Sequence, residues 1–405
     1  MARQGASIAA SAPEPTGSEH RSERQRSRSG TTGEATGVLE RGAEPPRSST
    51  AVGRRAAFRP LRVARVDRLT DDAAAVTFDV PAEFAADYTF RPGQSLTLRR
   101  TGDGLDERRD YSICAPAGAA LRIGVREVPG GLFSSWLVHQ VRAGDEIEVL
   151  APKGRFTADL TAPGGHVFVV AGSGITPALS LAATALQDGE STATVFYGNR
   201  RTNTVMFADE LADLKDRHGP RLQLVHVLSR EARDAELTSG RLDGERLRTL
   251  VGAFVDVGNV DHWWLCGPHG MVTDAQALLA ELGVPRERVH QELFYVDDVP
   301  PEPVRGDAAT VSGPSSEVTV VLDGRATALT LPRDVPVLDA AQRVRGDLPF
   351  ACKGGVCGTC RARVTSGEVR MRRNYALEPE EVAAGYVLTC QSLPITDAVT
   401  VDYDA

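Results

Sequence analysis

The chain has 405 residues, 41% of them hydrophobic and 25% charged, with a formal net charge of −8. That composition supports about two to four packed domains of ~100–200 residues, and the acidic balance argues against nucleic acid as a partner, because a phosphate backbone needs a basic face. No apolar run approaches the ~20 residues of a membrane span, so a soluble, cytoplasmic protein without a membrane partner is expected.

Residues 1–56 are rich in Ser, Arg, Glu, Pro and Gly and nearly devoid of large apolar side chains. Such a stretch cannot bury enough surface to offset its ordering entropy, so a disordered N-terminal extension is expected. It lacks the continuous apolar region of a signal peptide.

Residues 57–160 read as short strands. Leu61–Val66 and Ala75–Val80 alternate apolar and polar residues, Arg91-Pro-Gly-Gln94 marks a turn before Leu96–Leu98, and Leu121–Val125 and Glu146–Leu150 continue the pattern. Many short strands with turns between them predict an antiparallel β-barrel. Arg109-Asp-Tyr111-Ser112 lies inside it, followed by the loop Gly130-Gly131-Leu-Phe-Ser134. An arginine and a nearby hydroxyl suit a flavin phosphate, and an aromatic ring suits stacking on a flavin. On these residues alone, an ordinary strand and turn is the stronger reading.

Residues 161–295 change period. Val167–Ala171 is a continuous apolar strand that runs into Gly172-Ser173-Gly174-Ile-Thr176-Pro177, and further strands are predicted at Thr194–Tyr197, Leu222–Leu228 and Asp261–Cys266. Helical stretches at Met206–Arg217 and Met271–Leu282 separate them. Alternating β and α predicts a parallel, Rossmann-like α/β sheet. Its glycine turn can bring backbone close to a pyrophosphate at a helix N-terminus, or be a plain β–α turn. Cys266-Gly267-Pro268 ends a parallel strand, where ligands bind, although an isolated cysteine there is more often structural. Arg200 and Arg201 follow the second strand. An acidic residue in this region would favour NADH, whereas two arginines suit the 2′-phosphate of NADPH; two solvated surface arginines are the alternative.

Residues 296–316 read as a Pro-rich linker. The last segment, 317–405, opens with a strand and turn at Val318–Gly324 and holds four of the six cysteines, Cys352, Cys357, Cys360 and Cys390. This is the spacing of a plant-type [2Fe–2S] site; zinc favours paired C-x₂-C knuckles, which the wider first gap fits poorly. Gly354, Gly355 and Gly358 would let the loop pack close to sulfur and donate N–H groups to it.

These motifs, in this order, resemble the ferredoxin–NADP reductase superfamily fused to a C-terminal plant-type ferredoxin, over Phe58–Ala405. Tyr197–Arg200, Gly240–Glu245, Ala351–Cys357 and Asn374–Cys390 carry a closer likeness to the reductase subunits of phenylacetyl-CoA 1,2-epoxidases. The resemblance implies an α+β (β-grasp) ferredoxin domain after the flavin and nucleotide domains. It implies that Arg109, Tyr111 and Ser112 bind the flavin, with Tyr111 against the ring, and that Gly131 and Ser134 hold the FAD pyrophosphate. Gly172, Ser173, Gly174 and Thr176 would hold the nicotinamide cofactor, and Cys266, Gly267 and Pro268 would border hydride transfer, with Cys266 and Tyr111 as the catalytic positions. The family often has Arg after His-x-Glu, whereas this chain reads His290-Gln-Glu292-Leu293. The implied activity is electron transfer from NADPH, less readily NADH, through FAD and the [2Fe–2S] cluster to the di-iron oxygenase subunits of a multicomponent complex. A reductase for a Rieske-type dioxygenase or another di-iron monooxygenase is the alternative in the same chemistry. A non-catalytic redox sensor or scaffold is the alternative in another class.

Overall fold

The computed structural model describes residues 58–102, 105–231, 235–294 and 313–405. The extension expected over 1–56 and most of the linker expected over 296–316 lie outside the described residues.

The first sheet contains β1 (Arg59–Thr70), β2 (Ala73–Asp79), β3 (Ser95–Gly102), β4 (Leu105–Ser112), β5 (Arg122–Arg126), and, after helix α1 (Leu132–His139), β6 (Glu146–Val149). The strands are antiparallel in the order β4-β3-β6-β1-β2-β5. A bridge from Ile113 to Ile123 ties the end of β4 to β5 and curls the sheet into a barrel. Leu61, Val63, Val76, Leu96, Leu98 and Ile123 fill its interior, with Phe133 and Leu137 of α1 packed among them. Two features depart from the sequence reading. The Gly130–Ser134 stretch is the start of α1, with Gly131 as its N-cap. Strand β4, Leu-Asp-Glu-Arg-Arg-Asp-Tyr-Ser, has no apolar alternation to announce it; its register with β3, from Ser95↔Ser112 to Gly102↔Leu105, makes it a strand.

The second sheet contains β7 (Gly165–Ala171), β8 (Thr192–Asn199), β9 (Leu222–Leu228), β10 (His262–Cys266) and β11 (Val289–Glu292), all parallel, in the order β11-β10-β7-β8-β9. Helices α2 (Ile175–Ala185), α3 (Ala208–His218), α4 (Gly244–Phe254) and α5 (His269–Glu281) connect the strands. Val167 and Val169 enter one core while Phe168 and Val170 enter the other. A strand covered on both faces must be apolar throughout, which is why β7 shows no alternation. One of these cores continues into the barrel through Ala73, Ala75, Cys114 and Phe156. There Phe156 meets Trp264 edge-on at 5.2 Å.

The third sheet contains β12 (Ser315–Leu322), β13 (Arg325–Pro332), β14 (Arg361–Ser366), β16 (Tyr386–Leu388) and β18 (Ala398–Asp402), in the order β13-β12-β18-β14-β16; β15 (Val369–Met371) and β17 (Ser392–Pro394) form a separate pair. Strands β12 and β18 are parallel, and α6 (Val337–Ala341) and α7 (Pro379–Ala383) complete this β-grasp unit. The segment between α6 and β14 is irregular and carries three of the cysteines.

Candidate active site

All three units line one cleft of about 1540 Å³. The barrel contributes Arg109, Asp110, Tyr111 and Ser112 from β4, Gly131 and Ser134 from the start of α1, and Lys153; the α/β unit contributes Ser173, Thr176 and Glu292; the β-grasp unit contributes Cys352 and Cys357.

Helix α1 has no side-chain cap at its N-terminus. Its first-turn N–H groups therefore lack the partner a capping residue would give, and with the helix dipole they suit an anion. The Ser134 hydroxyl accepts from the Val128 N–H at 3.0 Å and lies 3.2 Å from the Gly131 carbonyl, holding that turn. The Arg109 guanidinium donates to the Arg108 carbonyl at 2.8 Å and stands 3.8 Å from Glu107. The Tyr111 ring lies 6.1 Å from that of Phe133. An aromatic ring, a guanidinium and an uncapped helix start on one cleft wall fit FAD, whose isoalloxazine and pyrophosphate need those groups.

At the end of β4 the Ser112 hydroxyl donates to the Glu292 carboxyl at 3.1 Å. Burial pushes this carboxyl up to about 8, against the lowering effect of the Ser112 hydrogen bond and with a further push from Asp110. Glu292 therefore holds a proton at neutral pH. Burial also raises the Cys266 thiol, helped by the nearby Glu292.

The glycine turn is laid out differently from its sequence reading. Ser173 and Thr176 line the cleft, whereas Gly172, Gly174, Cys266, Gly267 and Pro268 do not form its wall. Cys266 is fully buried. Gly174 packs so tightly on the end of β10 that an added Cβ would stand 2.0 Å from the Cys266 carbonyl oxygen. The Gly172 carbonyl accepts from the Tyr197 hydroxyl at 3.0 Å. Arg200 and Arg201 are exposed just past β8, beyond the cleft. Beside them the Glu231 carboxylate accepts from the Thr202 N–H at 2.8 Å and the Thr202 hydroxyl at 2.7 Å, an acidic neighbour that sequence reasoning missed.

The cysteines converge. Cys352 lies in hydrogen-bonding reach of Cys357, and Cys360 of Cys390. Lys353, Gly355 and Gly358 all have positive φ, at 51°, 82° and 67°. At Gly355 a Cβ would stand 3.3 Å from the Arg373 carbonyl, so both conformation and space favour glycine there. The Gly354 N–H donates to the Cys352 sulfur at 3.3 Å. Two thiol pairs with backbone donors fit a cluster of two irons, one pair to each.

The cluster loop is held against the barrel. Arg108 donates to the carbonyls of Leu348 at 3.2 Å and Gly346 at 3.1 Å, with its guanidinium 4.8 Å over Phe350. Arg155 donates to the Ala376 carbonyl at 2.9 Å, and Arg286 of the α/β unit pairs with Glu378 at 2.8 Å.

The sequence matches the oxidoreductase FAD-binding domain family over residues 60–158, the oxidoreductase NAD-binding domain family over 168–277, and the 2Fe-2S iron-sulfur cluster binding domain family over 320–394. It is 43% identical to a 1,2-phenylacetyl-CoA epoxidase subunit of Escherichia coli (strain K12), over 86% of this chain and 98% of that protein. The chain belongs to the ferredoxin–NADP reductase superfamily, in the branch with a C-terminal ferredoxin domain. This reductase is also 32% identical to the ferredoxin reductase component of 3-ketosteroid-9-alpha-monooxygenase of Rhodococcus rhodochrous, over 85% of this chain and 96% of that one. Its fold is shared with phthalate dioxygenase reductase, at a TM-score of 0.56 and 21% identity over 85% of this chain and 98% of that chain. It is an oxidoreductase with FAD, NAD and [2Fe–2S] domains, as its motifs led one to expect.

The proton on Glu292 has a measurable consequence. The native carboxyl titrates near 8, against an ordinary value of 4.5. Between those values the native state binds more protons than the unfolded one, so this group's contribution is fully present below the lower value and lost as pH rises through the upper. Glu292→Gln cannot titrate. Its melting temperature relative to wild type is expected to climb steadily from pH 5 to pH 9 in thermal unfolding, and parallel curves would remove the buried-proton assignment.

Proposed function

We propose that this reductase delivers electrons from NADPH to the di-iron oxygenase of a phenylacetyl-CoA 1,2-epoxidase, as a cytoplasmic component of a multicomponent complex. The observation that carries the reading is the single cleft on which the flavin-type wall, the Ser112–Glu292 pair and the cluster loop meet. FAD supplies the conversion between a two-electron hydride and the single electrons a [2Fe–2S] cluster takes. Tyr111 would pack on the flavin ring, while Arg109 and the α1 N-terminus with Gly131 and Ser134 would hold its pyrophosphate. Ser173 and Thr176, at the turn that Gly172 and Gly174 shape, orient the nicotinamide nucleotide. Ser112 and protonated Glu292 would flank the site of hydride transfer as neutral hydrogen-bonding groups, keeping a carboxylate charge away from it. Cys266-Gly267-Pro268, behind the cleft, supports the Gly174 turn, and Cys352, Cys357, Cys360 and Cys390 would hold the cluster.

The choice of oxygenase rests on the likeness to the Escherichia coli epoxidase protein over nearly its whole length. The likeness to a ketosteroid monooxygenase reductase component supports a second reading, service to a ring-hydroxylating oxygenase. Purified reductase mixed with each oxygenase decides between them. Product formation from phenylacetyl-CoA coupled to NADPH oxidation is expected; coupling only with the ring-hydroxylating enzyme would replace the first reading by the second.

Preference for NADPH rests on Arg200 and Arg201. A charge-assisted hydrogen bond of ~1.5 kcal/mol corresponds to about tenfold, so the Arg200→Ala/Arg201→Ala variant is expected to lower the NADPH-to-NADH ratio of kcat/KM by about tenfold or more. Glu231 works against a phosphate at this spot, which makes the measurement decisive: an unchanged ratio leaves the arginines as surface residues.

A further inference from the structure

We infer that Lys153, a residue of the flavin-binding barrel, raises the reduction potential of the cluster held by the ferredoxin domain while the two domains are docked. This builds on the membership in the reductase family and needs neither the NADPH preference nor the choice of oxygenase.

Lys153 is fixed by its backbone. Its N–H donates to the Ser95 carbonyl at 2.9 Å and its carbonyl accepts from the Ser95 N–H at 2.7 Å, a bridge that pins the segment after β6 to the start of β3. From there the ammonium crosses the domain boundary. It donates to the Thr359 hydroxyl at 2.5 Å and lies 3.2 Å from the Asp110 carboxylate. Thr359 sits between cluster ligands Cys357 and Cys360, and its hydroxyl oxygen is 3.1 Å from the Cys357 sulfur and 3.4 Å from the second Asp110 oxygen. Asp110 is itself held by the Thr97 hydroxyl at 2.5 Å.

The Thr359 hydroxyl has one proton and two acceptors in reach. A cluster-bound cysteine is a thiolate and can only accept. Lys153 fills the acceptor side of the Thr359 oxygen and offsets the charge of Asp110, which leaves the hydroxyl proton to the Cys357 sulfur. Without Lys153, the Asp110 carboxylate is unopposed; it draws that proton toward itself and adds an uncompensated negative charge beside the loop. Hydrogen bonds to cluster sulfurs and net local charge both set the potential. Reduction brings one electron from the reduced flavin to the cluster and no proton, so the added charge is favoured by the ammonium and disfavoured by bare Asp110.

The direction matters because both groups belong to the barrel. While the domains are docked, Lys153 would make the cluster a better acceptor of a flavin electron. When the ferredoxin domain leaves the barrel, Thr359 loses Lys153 and Asp110 together, so the bias set by Lys153 belongs to the docked state alone. Lys153 is a positioning residue acting through Thr359.

The test is a dye-mediated redox titration of the full-length, flavin- and iron-loaded protein, with the reduced cluster followed by electron paramagnetic resonance. Lys153→Met is expected to lower the flavin-to-cluster equilibrium constant about tenfold, equivalent to a cluster potential lower by about 59 mV for one electron. Lys153→Arg should restore most of the shift, and Asp110→Asn should move the potential upward. A residue that merely clamps the domains predicts that Lys153→Met and Asp110→Asn, which both weaken the contact, shift the potential in the same direction or not at all; either result overturns the inference. If Lys153→Met fails to hold its cofactors, the sign of the Asp110→Asn shift decides alone: upward supports the inference, unchanged or downward overturns it.

Discussion

Replacing Cys357 by serine is expected to remove the cluster and leave the flavin half of the reductase working. Cys357 is paired with Cys352 at one end of the thiol set, and serine offers a harder oxygen that suits iron–sulfur assembly poorly. The flavin wall and the Ser112–Glu292 pair come from other domains, so visible absorbance should keep the flavin bands and lose the broad iron–sulfur contribution. Ferricyanide takes electrons from flavin directly, so NADPH-driven reduction of ferricyanide should persist. Electron delivery to the oxygenase, and to cytochrome c, should fall by about two orders of magnitude or more, since the carrier that would take single electrons from the flavin to these protein acceptors is gone. Iron-free protein that still supported the oxygenase at the wild-type rate would place the cluster off the electron path.

What the sequence made legible was what lies close together along it. The Cys352–Cys360 spacing is local, and with Cys390 it states its chemistry without a fold. Strand β7 advertised itself because a doubly covered strand has to be apolar. Strand β4 did not, because its residues are charged and its pairing with β3 supplies the order. The first turn of α1 read as a loop because two glycines precede it, although Gly131 is its N-cap. Glu292 was visible only as the Glu of a His-x-Glu pattern that this chain departs from one residue later, at Leu293. Its significance comes from Ser112, 180 positions earlier, and from burial no local pattern reports. Lys153 and Thr359, 206 positions apart, belong to separate domains and meet only when the domains dock. The glycine turn shows the opposite error. Its residue types were read correctly as demanding close approach, but Gly174 approaches protein, the Cys266 carbonyl, and not open cleft.

That contact makes Gly174→Ala the counterpart of Cys357→Ser, a lesion upstream of the flavin. Gly174 has ordinary helical backbone angles, φ −59° and ψ −11°, so glycine is not required there for conformation. It is required for space, since a Cβ would lie 2.0 Å from the Cys266 oxygen and 2.6 Å from its carbonyl carbon. Both neighbours are backbone, and neither can rotate away. The turn or the end of β10 must shift, at an overpacking cost of ~1–3 kcal/mol. Ser173 and Thr176 move with the turn, and β10 lies beside β11, which ends at Glu292. A misplacement of about 1 Å can cost about 10²-fold in rate, so NADPH-driven reduction of ferricyanide should fall by about that factor. Flavin content and cluster signal should stay near wild type, and protein reduced chemically with dithionite should pass electrons to cytochrome c normally. Gly252→Ala is the control, because nothing lies within 4 Å of a Cβ added there in α4, and it should leave the rate unchanged. A Gly174→Ala protein with a wild-type NADPH rate would mean that the turn absorbs the methyl group, and that the contact with Cys266 does not position the nicotinamide.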